Sequence, residues 1–463
     1  MTLFFRNTLI VWLMLCGVGH GEQMTVMGPL AEYVAKPDAS YRWARRREGR
    51  LGATVYAELM LTSQTWRGIT WKHRLFIIRP SSVRPDVGHG LLFIAGGRWD
   101  DRMEEFPEEN QLPDKARRLA DLAEKFCAPV VLLLNVPRQP MFGDRHEDQL
   151  ISLTFDKYLD TRDPEWPLLL PMVKSAARAM DAAGEYALEA WRLPIETYTA
   201  TGASKRGWTT WLLGAIDRRV TAIAPIAIDV LNMAAHMDHQ RAAWGDLSRE
   251  IDDYAEYDLP DRIGTPAGKA LLSIVDPYRY RHLLRRPKLI IVGTNDPYWP
   301  LDALNLYWNE LVGDKYILYV PNGTHDVAGS PRMVGSLHAL HRHAATGRPM
   351  PALSWEFSTG DNGVFLRMES DPPPREARAW VAIAPTRDFR EARWTSFPMA
   401  RDGGGNVYEL AAPFTGFAAI FGEAEYRADP LPSYLSTNVR ILGETLGPAK
   451  PKSEGHVSAS RPD

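Results

Sequence analysis

The chain has 463 residues, 45% of them hydrophobic and 24% charged, with a formal net charge of −3. This composition excludes a disordered or fibrous chain and belongs to a globular protein with a sizeable core. The charge balance has no basic surplus, which excludes an electrostatic case for nucleic acid or an anionic membrane and leaves small or neutral partners.

The first residues, MTLFFRNTLIVWLMLCGVGHGEQ, carry Arg6, an apolar run from Leu9 to Cys16, and small residues at Gly17, Gly19 and Gly21. This is the pattern of a signal peptide over residues 1–21, its apolar run too short for a spanning helix of roughly 20 residues. It predicts export, periplasmic or extracellular, and no transmembrane span in the mature chain. An uncleaved anchor is the competing reading; a lipoprotein fits less well, because the bulky Leu15 precedes Cys16. Without this segment Cys127 is the one cysteine left, so no intramolecular disulfide forms and stability rests on the core. Ending the amphipathic run ARRLADLAEKFC, it is expected as a buried, inert thiol.

From about residue 53 strand-like and helix-like patterns alternate. TVYAELML and WKHRLFIIRP predict an antiparallel pair. The short apolar runs GLLFIAG, PVVLLLN, IETYTATG, VTAIAPIAI, KLIIVG and KYILYV then suit a sheet buried on both faces. Helices are expected over 115–126, 170–190, 205–216, 302–312 and 331–344. Such repetition with right-handed crossovers gives an α/β fold, a mostly parallel sheet with helices on both faces and ligands at the carboxyl ends of its strands. Residues 136–168 and 231–286 are polar and aromatic insertions after strands, of the kind that form lids or pocket walls. The main domain is expected over 30–348, with the helical or lid insertion at about 231–286. The runs LSWEFS, VFLRMES, ARAWVAIAP, ARWTSFPM and YELAAP predict a small β-sandwich-like domain over 350–440, and a disordered polar tail follows over 445–463.

TGASKRGWTTWL places Ser204 between a strand and a helix. A serine there protrudes from the strand end at a helix N-terminus, whose backbone N–H groups can stabilise an oxyanion; this is the nucleophile elbow. Serine is also a common helix cap, and a strict G-x-S-x-G would put glycine where Arg206 stands, the glycine coming one later at Gly207. The order of partners favours catalysis. An α/β-hydrolase supplies its triad as nucleophile, acid, histidine; here TNDPYWP puts Asp296 after KLIIVG, and PNGTHDV puts His325 after KYILYV. A serine hydroxyl needs a base, and the imidazole needs a carboxylate to fix its tautomer. Asp229, at the end of VTAIAPIAID, is an alternative acid, while Asp326 adjoins the histidine with a diverging side chain.

The oxyanion hole is expected from the N–H of Lys205 and from the loop after GLLFIAG, at Gly97 or Arg98, where Gly96 and Gly97 allow close approach. The Lys205 side chain reads either as solvated or as facing the pocket. Trp208 and Trp211 read as core, Tyr298 and Trp299 as pocket wall, and His73 as structural. His236 and His239 also read as pocket wall, since no third ligand is spaced for a metal.

GASKRGWTTWL, LTSQTWRGITWKH, EDQLISLTFDKYL with LPMVKSAARAMD, VDPYRYR and GDKYILYVPNGTH together resemble the PhoPQ-activated pathogenicity-related protein family, from about residue 30 to beyond 420. The resemblance implies an exported α/β-hydrolase with the serine at Ser204, the acid at Asp296 and the histidine at His325. It also implies a role in bacterial envelope response and virulence, which is a circumstance of regulation rather than a substrate. The chain departs from the family where it reads NDPYWPLD instead of GDEFFLPD and PNGTH instead of PNTDH, so the wall around Tyr298 and Trp299 differs.

These readings lead to an exported serine hydrolase that cleaves an ester or amide through an acyl-enzyme, with no metal or organic cofactor. GASKRG resembles the G-x-S-R-x-G pattern of glucuronoyl esterases, making a carbohydrate ester one substrate class; small molecules and peptides are the others. A secreted binding or signalling protein on a hydrolase scaffold is the alternative.

Overall fold

The computed structural model describes residues 28–83, 87–105, 112–327, 329–360, 363–411, 415–427 and 430–443. The expected signal peptide and polar tail lie outside the described residues. The central sheet begins with β1 (Arg42–Leu51), β2 (Thr54–Trp66), β3 (Ile69–Arg79), β4 (His89–Ile94), β5 (Val130–Leu133), β6 (Thr197–Ala203), β7 (Val220–Ile226), β8 (Lys288–Gly293) and β9 (Lys315–Val320). Their order is β1-β2-β3-β5-β4-β6-β7-β8-β9. The first three strands are antiparallel, β3 pairs antiparallel with β5, and the run from β5 through β4 to β9 is parallel. Every residue of β5 and β8 is buried, as near-continuous apolar strands require when both faces are covered.

The helices are α1 (Pro29–Ala35), α2 (Arg102–Glu105), α3 (Asp114–Phe126), α4 (Glu147–Thr161), α5 (Leu169–Trp191), α6 (Lys205–Ile216), α7 (Met233–Trp244), α8 (Asp252–Ala255), α9 (Leu259–Arg262), α10 (Pro266–Val275) and α11 (Pro331–Thr346). On one face α3 packs on β3 and β5, and α11 on β7, β8 and β9; on the other α5 and α6 pack together over β2, β6 and β7. This strand order with two helical layers is the α/β-hydrolase fold.

The C-terminal strands are β10 (Ala352–Gly360), β11 (Gly363–Asp371), β12 (Glu376–Ala384), β13 (Thr395–Pro398), β14 (Ala400–Asp402), β15 (Gly405–Ala411), β16 (Phe417–Tyr426), β17 (Ser433–Ser436) and β18 (Arg440–Leu442). They form two layers. One is the sheet β10-β11-β15-β14; the other, β17-β16-β12-β13 with β18 on β16, joins the central sheet through β17 and β9. The layers meet at Gly422, where a Cβ would lie 2.1 Å from the Met368 sulfur, so the methionine packs over a position without a side chain.

The structure differs from the sequence reading in several elements. β1 (RWARRREGRL) lacks a run of apolar residues and none of it is fully buried, so no hydrophobic pattern marks it. Within 136–168 lies α4, whose buried residues include Leu150, Ile151, Phe155 and Tyr158, so much of this insertion is core-packed helix. Residues 302–312 do not form one helix but two 3-10 turns, Ala303–Leu306 and Trp308–Glu310. Tyr307 interrupts them at φ −143, with its hydroxyl drawn inward onto Asp229 at 2.6 Å. Cys127 is exposed rather than buried, because it occupies the left-handed C-cap of α3 and its thiol faces the Ser82 hydroxyl, which donates to it at 3.3 Å.

Candidate active site

Parallel register brings the relevant loops together. Ile94 of β4 pairs with Gly202 of β6, and Ala203 pairs with Ile226 of β7, so the loops after β4, β6 and β7 emerge side by side at the carboxyl edge. Those after β8 and β9 follow, with Gly293 opposite Val320.

Ser204 stands between β6 and α6 at φ 56, ψ −127, a conformation that L-residues rarely adopt, and it makes no side-chain cap bond. The cap reading of this serine is therefore not what the geometry displays; the strain belongs to the elbow itself. Its N–H donates to Ile226 O at 2.8 Å, fixing the turn to β7. The two glycines explain the motif's spacing. A Cβ on Gly202 would lie 2.7 Å from Arg206 O, and one on Gly207 would lie 2.5 Å from Ile228 Cγ2 and 2.9 Å from Gly202 O. The close approach of helix to strand falls at 202 and 207, which leaves 206 free to carry a side chain.

Arg206 uses that freedom. Its guanidinium donates to Val136 O at 2.5 Å and forks onto Glu147 at 2.7 and 2.6 Å. Burial would raise the Glu147 carboxyl, but the hydrogen bonds and charge of Arg206, with Lys205 nearby, hold it down at about 2. The same guanidinium lies against Gly96, where a Cβ would come within 2.1 Å of Nη2. The loop after β4 is thus seated beside the elbow. In it Gly97 has φ 139, and Asn135 holds Arg98 O through a 2.9 Å bond from Nδ2. The Arg98 side chain points away, to His146 and Asp144.

Lys205 is buried, not solvated: Nζ lies 2.7 Å from Asp148 Oδ2, and the Tyr254 hydroxyl donates to Asp148 Oδ1 at 2.8 Å. Ser204, Lys205, Asp148 and Tyr254 line a pocket beneath α7, α9 and α10 of the 231–286 insertion. Tyr298, Trp299 and Trp208 line it too, so Trp208 is both core and wall; Trp211 is core alone.

Asp296 and His325 are brought together. His325 Nδ1 lies 2.8 Å from Asp296 Oδ2, while Asp296 Oδ1 accepts the Tyr298 N–H at 2.9 Å. That contact assigns the proton to Nδ1 and leaves Nε2 an acceptor. Nε2 is buried and has no hydrogen-bond partner, so Ser204 and His325 are not hydrogen-bonded to each other. Tyr298 lines the serine pocket and lies against the His325 ring, tilted, with ring centroids 4.3 Å apart. Asp326 is exposed.

Asp229 is buried and bonded by Tyr307, not by a histidine. Burial raises its carboxyl to about 7, the Tyr307 bond opposes this, and the charges of Asp296 and Asp302 reinforce it. The imidazole of His325 faces Asp296 instead. His236 is buried against Trp299, His239 bonds Asp302 at 2.7 Å, and neither lines the pocket. His73 is buried in β3 against Ser63. Among the described residues no group of three or more His, Cys, Asp or Glu is placed to hold a metal ion, and no helix is long and apolar enough to cross a membrane.

Sequence reasoning passed over Glu147, Asp148, Asn135 and Tyr254. The first two open the stretch EDQLISLTFDKYL, a signal that was visible; nothing local marks the others.

Among solved structures, the chain is similar to an acetyl xylan esterase from Paenibacillus sp. R4, at 13% identity and a TM-score of 0.44, covering 64% of this chain and 87% of that one. It is similar also to a glucuronoyl esterase from Solibacter usitatus, at 13% identity and a TM-score of 0.38, covering 68% and 91%. Among characterised proteins it is 29% identical over 435 residues to "Autocrine proliferation repressor protein A" of Dictyostelium discoideum, covering 86% of each. The sequence model of the PhoPQ-activated pathogenicity-related protein family matches residues 30–390, and the chain belongs to that family.

Proposed function

We propose that the protein is an exported serine hydrolase that cleaves an ester or amide through an acyl-enzyme. Ser204 attacks the carbonyl, His325 Nε2 takes its proton and passes it to the leaving group, and Asp296 orients and stabilises the imidazolium. The N–H groups of Lys205 and Gly97 receive the oxyanion. Water then repeats the sequence and releases the acid. The observation that carries this reading is the pairing of His325 with Asp296 at 2.8 Å, which leaves Nε2 without a hydrogen-bond partner, with a strained serine on another loop of the same sheet edge. The missing Ser–His bond is compatible with it, since such bonds often tighten only around substrate. Export rests on the N-terminal sequence MTLFFRNTLIVWLMLCGVGHGEQ. A fluorophosphonate probe is expected to label Ser204, identified by peptide mass spectrometry; a folded sample that stays unlabelled beside a reactive control hydrolase refutes the proposal.

A second reading is a secreted signalling or binding protein with little turnover. The name of the Dictyostelium relative, a proliferation repressor, favours it. In that case a Ser204→Ala variant retains the full biological effect.

A further inference from the structure

The pocket beside Ser204 has few free polar groups. Its charged members already satisfy each other: Asp148 takes Lys205 at 2.7 Å and the Tyr254 hydroxyl at 2.8 Å. Arg206, the other cation of the elbow, is committed to Glu147 and Val136. Trp208 spends its indole N–H on Val275 O at 2.6 Å. Among the lining residues described, the remaining polar side-chain groups are the Ser204 and Tyr298 hydroxyls and the Trp299 indole N–H, the last without a partner. The rest of the wall is hydrocarbon and thioether, with Met233 and Met237 one helical turn apart on α7 facing Leu271 and Leu272 of α10 and Ile263 beside them.

A sugar ring seated here would bury several hydroxyls against three partners, and a uronate would meet no free cation; each polar group left unpaired in the dry pocket weighs against binding. A hydrocarbon group has the opposite balance. The two methionines, unbranched and adaptable, suit a chain of varying shape.

Resting on the serine hydrolase reading, we propose that this pocket receives a hydrocarbon group attached to the scissile carbonyl, well beyond acetyl in length, as the determinant of substrate choice. The chemistry is shared by fatty acyl esters and by amides of apolar amino acids, and the two sources are separable by assay. The wild-type protein is given p-nitrophenyl acetate, butyrate and octanoate, leucyl and glycyl p-nitroanilides, and a methyl glucuronate ester. The expected result is a kcat/KM that rises about fourfold for each added methylene until the pocket is full. It rises along the ester series if the source is fatty acyl, or from glycyl to leucyl if it is aminoacyl. Met237→Trp, at a half-buried wall position, is expected to lower the octanoate-to-acetate or leucyl-to-glycyl ratio at least tenfold. A flat or falling series, a preference for the glucuronate, or an unchanged ratio in the variant overturns the pocket assignment while fluorophosphonate labelling of Ser204 keeps the hydrolase reading alive. Absence of both labelling and turnover removes the hydrolase reading and this assignment with it.

Discussion

The side-chain amide of Asn322 is locked to the backbone of Trp394: its Nδ2 donates to Trp394 O at 3.1 Å and its Oδ1 accepts the Trp394 N–H at 2.8 Å. Asn295 does the same from the neighbouring loop, donating to the carbonyls of Phe389, Arg390 and Ala392. The two turns that carry His325 and Asp296 are therefore clipped to one segment of the C-terminal strands. Because a small misplacement of catalytic groups costs as much as about 100-fold, Asn322→Ala is expected to lower kcat roughly tenfold with KM little changed. Steady-state kinetics on an aryl ester check this; an unaltered kcat shows that the clip does not position the histidine.

The strain at Ser204 predicts a trade between stability and activity. At φ 56, ψ −127 a glycine is at ease where serine is not. Ser204→Gly is expected to be inactive and more stable than wild type by about 1 kcal/mol. Equilibrium denaturation compares the two, and a less stable variant contradicts the strain.

Asp148 and Lys205 form a buried pair, so their removal is not additive. Asp148→Asn removes the charge 2.7 Å from Lys205 Nζ, leaving Glu147 at 3.6 Å as the nearest carboxylate, and is expected to destabilise by roughly 3 kcal/mol. The double variant Asp148→Asn/Lys205→Met is expected to lose less than Asp148→Asn alone. Lys205→Met keeps the main-chain N–H, so its labelling by a fluorophosphonate persists. A strictly additive cycle shows that the pair does not interact.

Asp229 gives the pH dependence an inverted sign. Its folded value, about 7, lies above the ordinary carboxylate value of 3.8, so the folded state holds a proton that the unfolded chain gives up. Stability from this group is present below 3.8 and is lost as pH rises toward and through 7. Asp276, raised by burial to about 6, acts in the same direction. Asp229→Asn, which keeps an acceptor for Tyr307, is expected to melt like wild type at low pH and above it at pH 8. Melting curves across this range test it, and parallel curves show that Asp229 does not titrate.

The sheet was legible because its strands are buried on both faces and so read as unbroken apolar runs, and α6 because its start is fixed by the elbow. Asp296 and His325 were legible through their positions after β8 and β9. β1 was hidden by its arginines, and the break at Tyr307 by a hydroxyl that seeks Asp229 across 78 residues of chain. Asn135, Tyr254 and Asn322 could not be read for the same reason: each acquires its role from a partner brought near only by the finished fold.

β9 would close the sheet of a minimal hydrolase as a bare edge, with unpaired amides along one side. Here β17 lies against it, and the opposite limit is β1, with Arg45 and Arg50 exposed. β9 is thus denied to a second strand, and the outer limit on that side moves to the short β13. A truncation ending before β17 would reopen the β9 side, and such a fragment should precipitate as it refolds even though every residue around Ser204 is retained.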